Sequence, residues 1–301
     1  MNVLSLQGGG ILGMGQVTML SQLESGCNKQ CFEIFDMIAG TSVGSILACH
    51  LAIGIPASGI KDFFTVDSPK IFDSNLFTDV TLLWGTKYGS KNIESALQSR
   101  LSGYKLSDCK TKFLATAYDW SSDRPVYFKS YESSSENKDY IIIGNDSNID
   151  LWQVARASSA AQSYFPAYQY SGMVLLDGGN TDNNAPDTLA IADALDYSHV
   201  TGIKMLSLGA GDTVWKESPN TMVDPSIATA GLQTITIVFS AGESSEVYKS
   251  SKILKNNYYR LSPDLGNGYA IDDASTSTLS ALQEAAEKVD ILSSSFIKQI
   301  T

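Results

Sequence analysis

The stretch NVLSLQGGGILGMGQVTMLSQLE, residues 2–24, decides the fold. Residues 2–6 are a short apolar run that reads as a buried strand. Five glycines follow within eight positions, at 8, 9, 10, 13 and 15. Val17, Leu20 and Leu23 then recur at helical spacing, so the spacing predicts a helix that opens at the glycine loop. A strand running through a bare loop into a helix is the opening of an α/β unit. Glycines at that junction bring main-chain N–H groups close to something negative. Two ligands fit the stretch equally: a cofactor phosphate, or an oxyanion that exists only in a transition state. Gly8-x-Gly10-x-x-Gly13, with Glu33 twenty residues beyond, satisfies the dinucleotide-binding pattern. A nucleotide-binding module is therefore the alternative of a different class.

The pattern repeats downstream. Residues 35–40, FDMIAG, read as a second apolar strand, and 41–54 as a turn and a helix stopped by Gly54 and Pro56. Residues 112–120 and 124–131 read as a hairpin, and 172–180 as a strand that ends on Asp177-Gly178-Gly179. Strands are also expected at 203–212 and 257–265. The C-terminal segment carries Leu279, Leu282, Ala286, Val289 and Leu292 on one helical face. Alternating strands and helices imply a mostly parallel sheet with helices on both faces. The expectation is an α/β fold, a single three-layer α/β/α domain over residues 1–301, since no linker long enough to divide the chain is evident.

Composition narrows the function. With 43% hydrophobic and 18% charged residues, the chain of 301 residues is globular. A net charge of −11 without Lys/Arg clusters speaks against nucleic-acid binding. Two histidines, and cysteines 27, 31, 49 and 109 without paired metal-ligand spacing, give no support for a metal site. The cysteines read as free thiols of a cytoplasmic protein. The N-terminus lacks a charged segment and a long apolar run, so no signal peptide is expected. Residues 37–60 carry no Asp, Glu, Lys or Arg and approach spanning length, but their Gly, Ser, Thr and His content fits a buried strand–turn–helix better.

Gly40-Thr41-Ser42-Val43-Gly44 fits G-x-S-x-G, the strained strand-to-helix turn that lifts a serine hydroxyl clear of the backbone. An apolar strand before it and an apolar helix after it are the context this turn requires. A serine nucleophile needs a base. His50 lies two turns along the same helix and is unlikely to reach back, and His199 sits in a loop before a strand. Asp177, freed at a strand end by two glycines, is the remaining partner for a two-member dyad.

These residues together resemble the patatin-like phospholipases, which also resemble the catalytic domain of cytosolic phospholipase A2. The resemblance rests on Gly8-Gly9-Gly10-Ile11-Leu12-Gly13, on Gly40-Thr41-Ser42-Val43-Gly44 and on Asp177-Gly178-Gly179. It also rests on the flanking segments ARASSAAQSYFP (155–166), NNAP (183–186) and SLGAGD (207–212). It implies a serine acyl hydrolase of the phospholipase A type. Ser42 is the implied nucleophile, Asp177 the general base, and the amides of Gly8, Gly9 and Gly10 the oxyanion hole. It also implies no cofactor and no metal. The substrate would be a phospholipid or another acyl ester, and a lipase or esterase without phospholipid preference is the alternative within the class. Gln7 stands where many relatives have Asp, Leu12 where many have Arg or Lys, and Ala185 interrupts an Asn-Asn-Pro run. An acidic protein needs an apolar means of touching a membrane surface, and Phe72, Phe77, Leu83 and Trp84 within 71–88 are the candidates.

Overall fold

The computed structural model describes residues 1–73, 85–181, 183–212, 223 and 227–301, with the backbone alone over 227–239. Strand β1 (Asn2–Leu6) enters a 3-10 turn at Gly10–Leu12 and then helix α1 (Gly13–Cys27). After α2 (Cys31–Ile34), β2 (Met37–Gly40) turns into α3 (Val43–Ala52). Helix α4 (Ala57–Asp62), a π-helical turn at Phe63–Asp67, α5 (Ser68–Ile71) and α6 (Ser90–Leu101) lead to the hairpin of β3 (Lys112–Asp119) and β4 (Arg124–Lys129). Short strands β5 (Ser135–Glu136) and β6 (Ile141–Ile143) precede α7 (Leu151–Ser158), β7 (Tyr168–Tyr170) and β8 (Met173–Asp177). The rest is α8 (Asp187–Ala194), β9 (Lys204–Leu208), α9 (Ile227–Leu254), β10 (Tyr258–Leu261), α10 (Thr276–Glu287) and α11 (Ile297–Ile300).

The strands form one sheet in the order β10-β9-β1-β2-β3-β4-β6-β5. From β10 to β3 every pairing is parallel, and β4 then runs antiparallel to β3. Alternation along the strands shows why the runs are apolar throughout. Val3, Met37, Ala39, Leu114 and Met205 enter one apolar cluster with Ile191 and Ala194 of α8 and Leu254 of α9. Leu4, Leu6, Ile38, Ala115, Leu206 and Leu208 enter the opposite one, with α1, α3, α7 and α10. Both faces of the sheet are thus buried, as a parallel sheet requires. This is the expected mostly parallel α/β/α arrangement.

Residues 37–60 form the strand–turn–helix read from their composition, and Ile38 and Leu47 are fully buried. Among the described residues no helix is long and apolar enough to cross a membrane. The C-terminal pattern needs one correction. Helix α10 buries Leu279, Leu282 and Ala286 but stops at Glu287, so Ile291 reaches the core while Leu292 stays exposed. The 28-residue helix α9 had no expectation attached to it.

One carboxylate ties three helices together. Glu24, near the end of α1, accepts the Cys31 amide at 2.9 Å and the Ala57 amide at 2.7 Å. Those amides open α2 and α4, where helix N-termini favour negative charge. Glu24→Ala leaves both amides unsatisfied. A loss of about 2–4 kcal/mol is expected in urea unfolding. An unchanged midpoint would show that water replaces the carboxylate at no cost.

Candidate active site

The turn between β2 and α3 holds Ser42 at φ 56°, ψ −126°, a conformation that strains any residue with a side chain. The turn closes only because its neighbours are bare. A Cβ on Gly40 would lie 2.2 Å from the Gly44 carbonyl oxygen, and one on Gly44 2.2 Å from that of Leu6. The Ser42 amide donates to Ser158 Oγ at 3.0 Å, and Ser45 Oγ donates to the Ser42 carbonyl at 2.7 Å. With its backbone fixed from both sides, Ser42 caps α3, and the Val43 amide at the helix start has no acceptor among the described residues.

Strand register brings Asp177 to this turn. β2 pairs with β3 as far as Gly40 opposite Ala115. β8 then takes over, running antiparallel against β3, with Asp177 opposite Ala117. The C-terminal ends of β2 and β8 therefore meet head to head on one strand. Thr116, between the two registers, fills the junction: its hydroxyl is 2.8 Å from that of Thr41. Asp177 is fully buried. Its Oδ1 accepts the Gly179 amide at 2.8 Å, and its Oδ2 closes no hydrogen bond of standard geometry. Burial pushes its pKa up from 3.8 to about 7, against smaller opposing effects of the Gly179 amide and the nearby Ser42 hydroxyl. A looser serine–carboxylate contact is usual before substrate arrives.

The glycine loop separates its amides into two kinds, which differs from the sequence expectation. The Gly8 amide is occupied, donating to the Asn184 carbonyl at 2.9 Å, and Gly8 is buried. The amides of Gly9 and Gly10 donate to no described residue, and both glycines are partly exposed. Gly8 thus cannot serve as an amide donor while that bond holds. Gly10 has φ 57°, and a Cβ there would lie 2.1 Å from the Ile271 carbonyl oxygen. That same oxygen accepts the Ile11 amide at 2.8 Å, so the loop is clamped from the C-terminal half of the chain. Gly10→Ala is expected to push Ile271 away and to cost about 1–3 kcal/mol in urea unfolding. An unchanged midpoint would show that the loop relaxes around a side chain.

Beneath the loop, Gln7 is held by two residues that sequence reading did not single out. Its Nε2 donates to Glu243 at 2.6 Å, and its Oε1 accepts from Arg260 and from the Ala210 amide. Arg260 also donates to Glu243 at 2.7 Å and to Ser207 at 2.8 Å. An amide can both donate to Glu243 and accept from Arg260, and a carboxylate at position 7 could not. Gln7 therefore matches its own surroundings. Leu12 is buried in the core, where a cation would be poorly placed.

An apolar pocket of about 50 Å³ opens beside Ser42, lined by Gly10, Ile46, Phe63, Ile71, Phe165 and Ile271 among others. Next in the chain to the lining residue Ile271, Asp272 pairs with Lys87 and accepts the Tyr88 hydroxyl at 2.7 Å. Phe72 packs edge-on against Tyr88 at 5.2 Å between centroids. Phe77, Leu83 and Trp84, the other candidates for membrane contact, lie outside the described residues. His50 is buried along α3, its Nδ1 2.7 Å from the Ile46 carbonyl, and burial lowers its pKa to about 4. His199 is exposed in the loop before β9. Among the described residues no group of three or more His, Cys, Asp or Glu is arranged to hold a metal, and the four cysteines are unpaired.

Comparison with known proteins bears on this geometry. The family profile described as "Patatin-like phospholipase" matches residues 4–190. A cGAMP-activated phospholipase of Pseudomonas aeruginosa is 28% identical over 99% of this chain and 85% of its own length. Patatin-T5 of Solanum tuberosum is 26% identical over 98% of this chain and 84% of its own. Patatin-like protein 2 of Arabidopsis thaliana is 32% identical over 64% of this chain, which spans about half (52%) of that protein. The matched family segment includes Ser42, Asp177 and the glycine loop that the fold gathers at one end of the sheet. The chain belongs to the patatin-like phospholipase family.

Proposed function

We propose that the chain, as one acyl-hydrolase domain over residues 1–301, cleaves acyl ester bonds of phospholipids in the manner of a phospholipase A. Ser42 is the nucleophile and Asp177 its base. The observation that carries this reading is the strained Ser42 turn set against a fully buried carboxylate with one free oxygen. Asp177 takes the Ser42 proton as Oγ attacks the ester carbonyl. The free amides of Gly9, Gly10 and Val43 hold the developing oxyanion, and Gly8 is left out because Asn184 occupies it. The acyl chain lies along the apolar pocket, with the head group toward the Lys87–Asp272 pair. The alcohol leaves with the proton from Asp177, and water then cleaves the acyl-enzyme. No step calls on a cofactor or a metal. The thiols suit a cytoplasmic setting, with transient contact at a membrane surface.

The test is fatty-acid release from mixed phospholipid vesicles in EDTA, wild type against Ser42→Ala, together with fluorophosphonate labelling. Release by wild type alone and a label on Ser42 are expected, and the products tell sn-1 from sn-2 cleavage. Turnover of a soluble ester without release from vesicles would favour the general esterase. Silence on both substrates with no label would favour a nucleotide-binding loop. Because the Pseudomonas relative is named as cGAMP-activated, each assay is run with and without cGAMP.

A further inference from the structure

Two buried acceptor oxygens next to Ser42 close no hydrogen bond of standard geometry. One is Asp177 Oδ2, and the other is Asn184 Oδ1, on a residue only 5% exposed. Asn184 Oδ1 comes this close to Ser42 because Gly8 has no side chain. A Cβ at that position would lie 2.5 Å from Asn184 Oδ1 and 3.0 Å from Ser42 Cβ, so the bare glycine lets the carboxamide and the serine pack against the same backbone atom. The backbone around Asn184 is anchored on both sides of Ser42. Its carbonyl accepts the Gly8 amide at 2.9 Å, and the Asn183 carbonyl accepts the Thr41 hydroxyl at 2.5 Å. The Asn184 carboxamide itself makes no hydrogen bond to a described residue. A buried polar atom left unpaired is costly, and in native proteins it usually awaits a ligand or a water.

We infer that Asn184 Oδ1 and Asp177 Oδ2 together hold the water that cleaves the acyl-enzyme. The inference rests on the Ser42–Asp177 reading above. Water has two protons, and the two orphaned oxygens offer one acceptor for each. One O–H donates to Asn184 Oδ1, which orients the molecule and takes no proton, because a neutral amide oxygen is not a base. The other O–H donates to Asp177 Oδ2, since Oδ1 is already engaged by Gly179. A lone pair then points at the carbonyl carbon of acyl-Ser42. Attack forms the C–O bond while the second proton passes to Asp177. The tetrahedral intermediate collapses by breaking the bond from carbon to Ser42 Oγ, which recovers that proton from Asp177. The fatty acid leaves, and serine and carboxylate return to their starting state. Asn184 therefore serves the second half of the reaction and not the first, when the ester fills the space.

The experiment is stopped-flow hydrolysis of p-nitrophenyl butyrate by wild type, Asn184→Leu and Asn184→Ala, with intact-mass analysis of quenched samples. Leucine keeps the branched outline of asparagine, with methyls in place of the amide oxygen and nitrogen, and removes the acceptor. Alanine removes it too, but leaves room for a second water to stand in. The nitrophenol burst counts folded, acylated sites, so turnover is expressed per burst site and misfolded protein drops out. The expected result for Asn184→Leu is a burst at the wild-type rate, steady-state turnover about tenfold lower, and butyryl-Ser42 on most of the chains. Asn184→Ala is expected to fall between the two. Unchanged turnover per site in Asn184→Leu, or equal slowing of burst and turnover, overturns the inference and leaves Ser42 as nucleophile. Absence of nitrophenol release and of butyryl-Ser42 from wild type and both variants overturns the underlying reading, and this inference with it.

Discussion

Asp177→Asn is expected to abolish hydrolysis while making the fold more resistant to unfolding at neutral and higher pH. On the proposed reading the base is lost, which costs about 10²–10⁴-fold in rate. The stability change follows from the pKa, raised by burial from 3.8 to about 7. Below pH 3.8 the carboxyl is neutral in both folded and unfolded chains, and it contributes nothing to the difference between wild type and variant. Between 3.8 and 7 the unfolded chain releases the proton while the folded one retains it. Wild type therefore loses stability as pH rises, and the loss is complete above pH 7. At about 1.4 kcal/mol per unit, the full change is on the order of 4 kcal/mol. Asn has no proton to release there. The measurement is urea unfolding of wild type and Asp177→Asn at several values between pH 4 and pH 8. The stability of the variant minus that of wild type should grow across that range by the stated amount. His50 is common to both proteins and cancels. A flat difference would mean that Asp177 is not held neutral by burial. In the same window kcat/KM of wild type should rise about tenfold per pH unit and level off near pH 7, because only the ionised carboxylate accepts the serine proton.

Ser42 supplies the second large effect. Ser42→Ala and Ser42→Gly should both be inactive, but they should not be equally stable. The backbone at φ 56°, ψ −126° disfavours any Cβ, and glycine is freed from that strain. After allowance for the greater freedom of glycine in the unfolded chain, Ser42→Gly should exceed Ser42→Ala by about 1–2 kcal/mol. Equal unfolding midpoints would mean that the turn relaxes once the hydroxyl is gone.

Much of the candidate site is legible in the sequence. Glycines at 40 and 44 around a serine, between an apolar strand and an apolar helix, specify the turn through local sterics alone. The glycine loop was likewise visible after β1. What that loop does with each amide was not. Gly8, Gly9 and Gly10 are identical in sequence, and only the approach of Asn184, more than 170 residues away, occupies the first and leaves the other two free. The roles of Gln7, Glu243 and Arg260 were hidden for the same reason, since their hydrogen bonds join segments over 200 residues apart. The end of α10 was misjudged because hydrophobic spacing continues past Glu287 into a turn that buries Ile291 instead of Leu292.

By itself the sequence determined what local rules govern: the strand–glycine loop–helix opening, the strained elbow at Ser42, and the apolar runs of a sheet covered on both faces. The tertiary structure decided which groups meet. β8 enters antiparallel where β2 ends, so both strands share β3 and Asp177 arrives opposite Ser42. That meeting depends on strand register between segments 135 residues apart, and periodicity carries no information about register. Burial then raises the pKa of the carboxylate toward neutrality, and burial is a property of everything packed around a group, not of its neighbours in the chain.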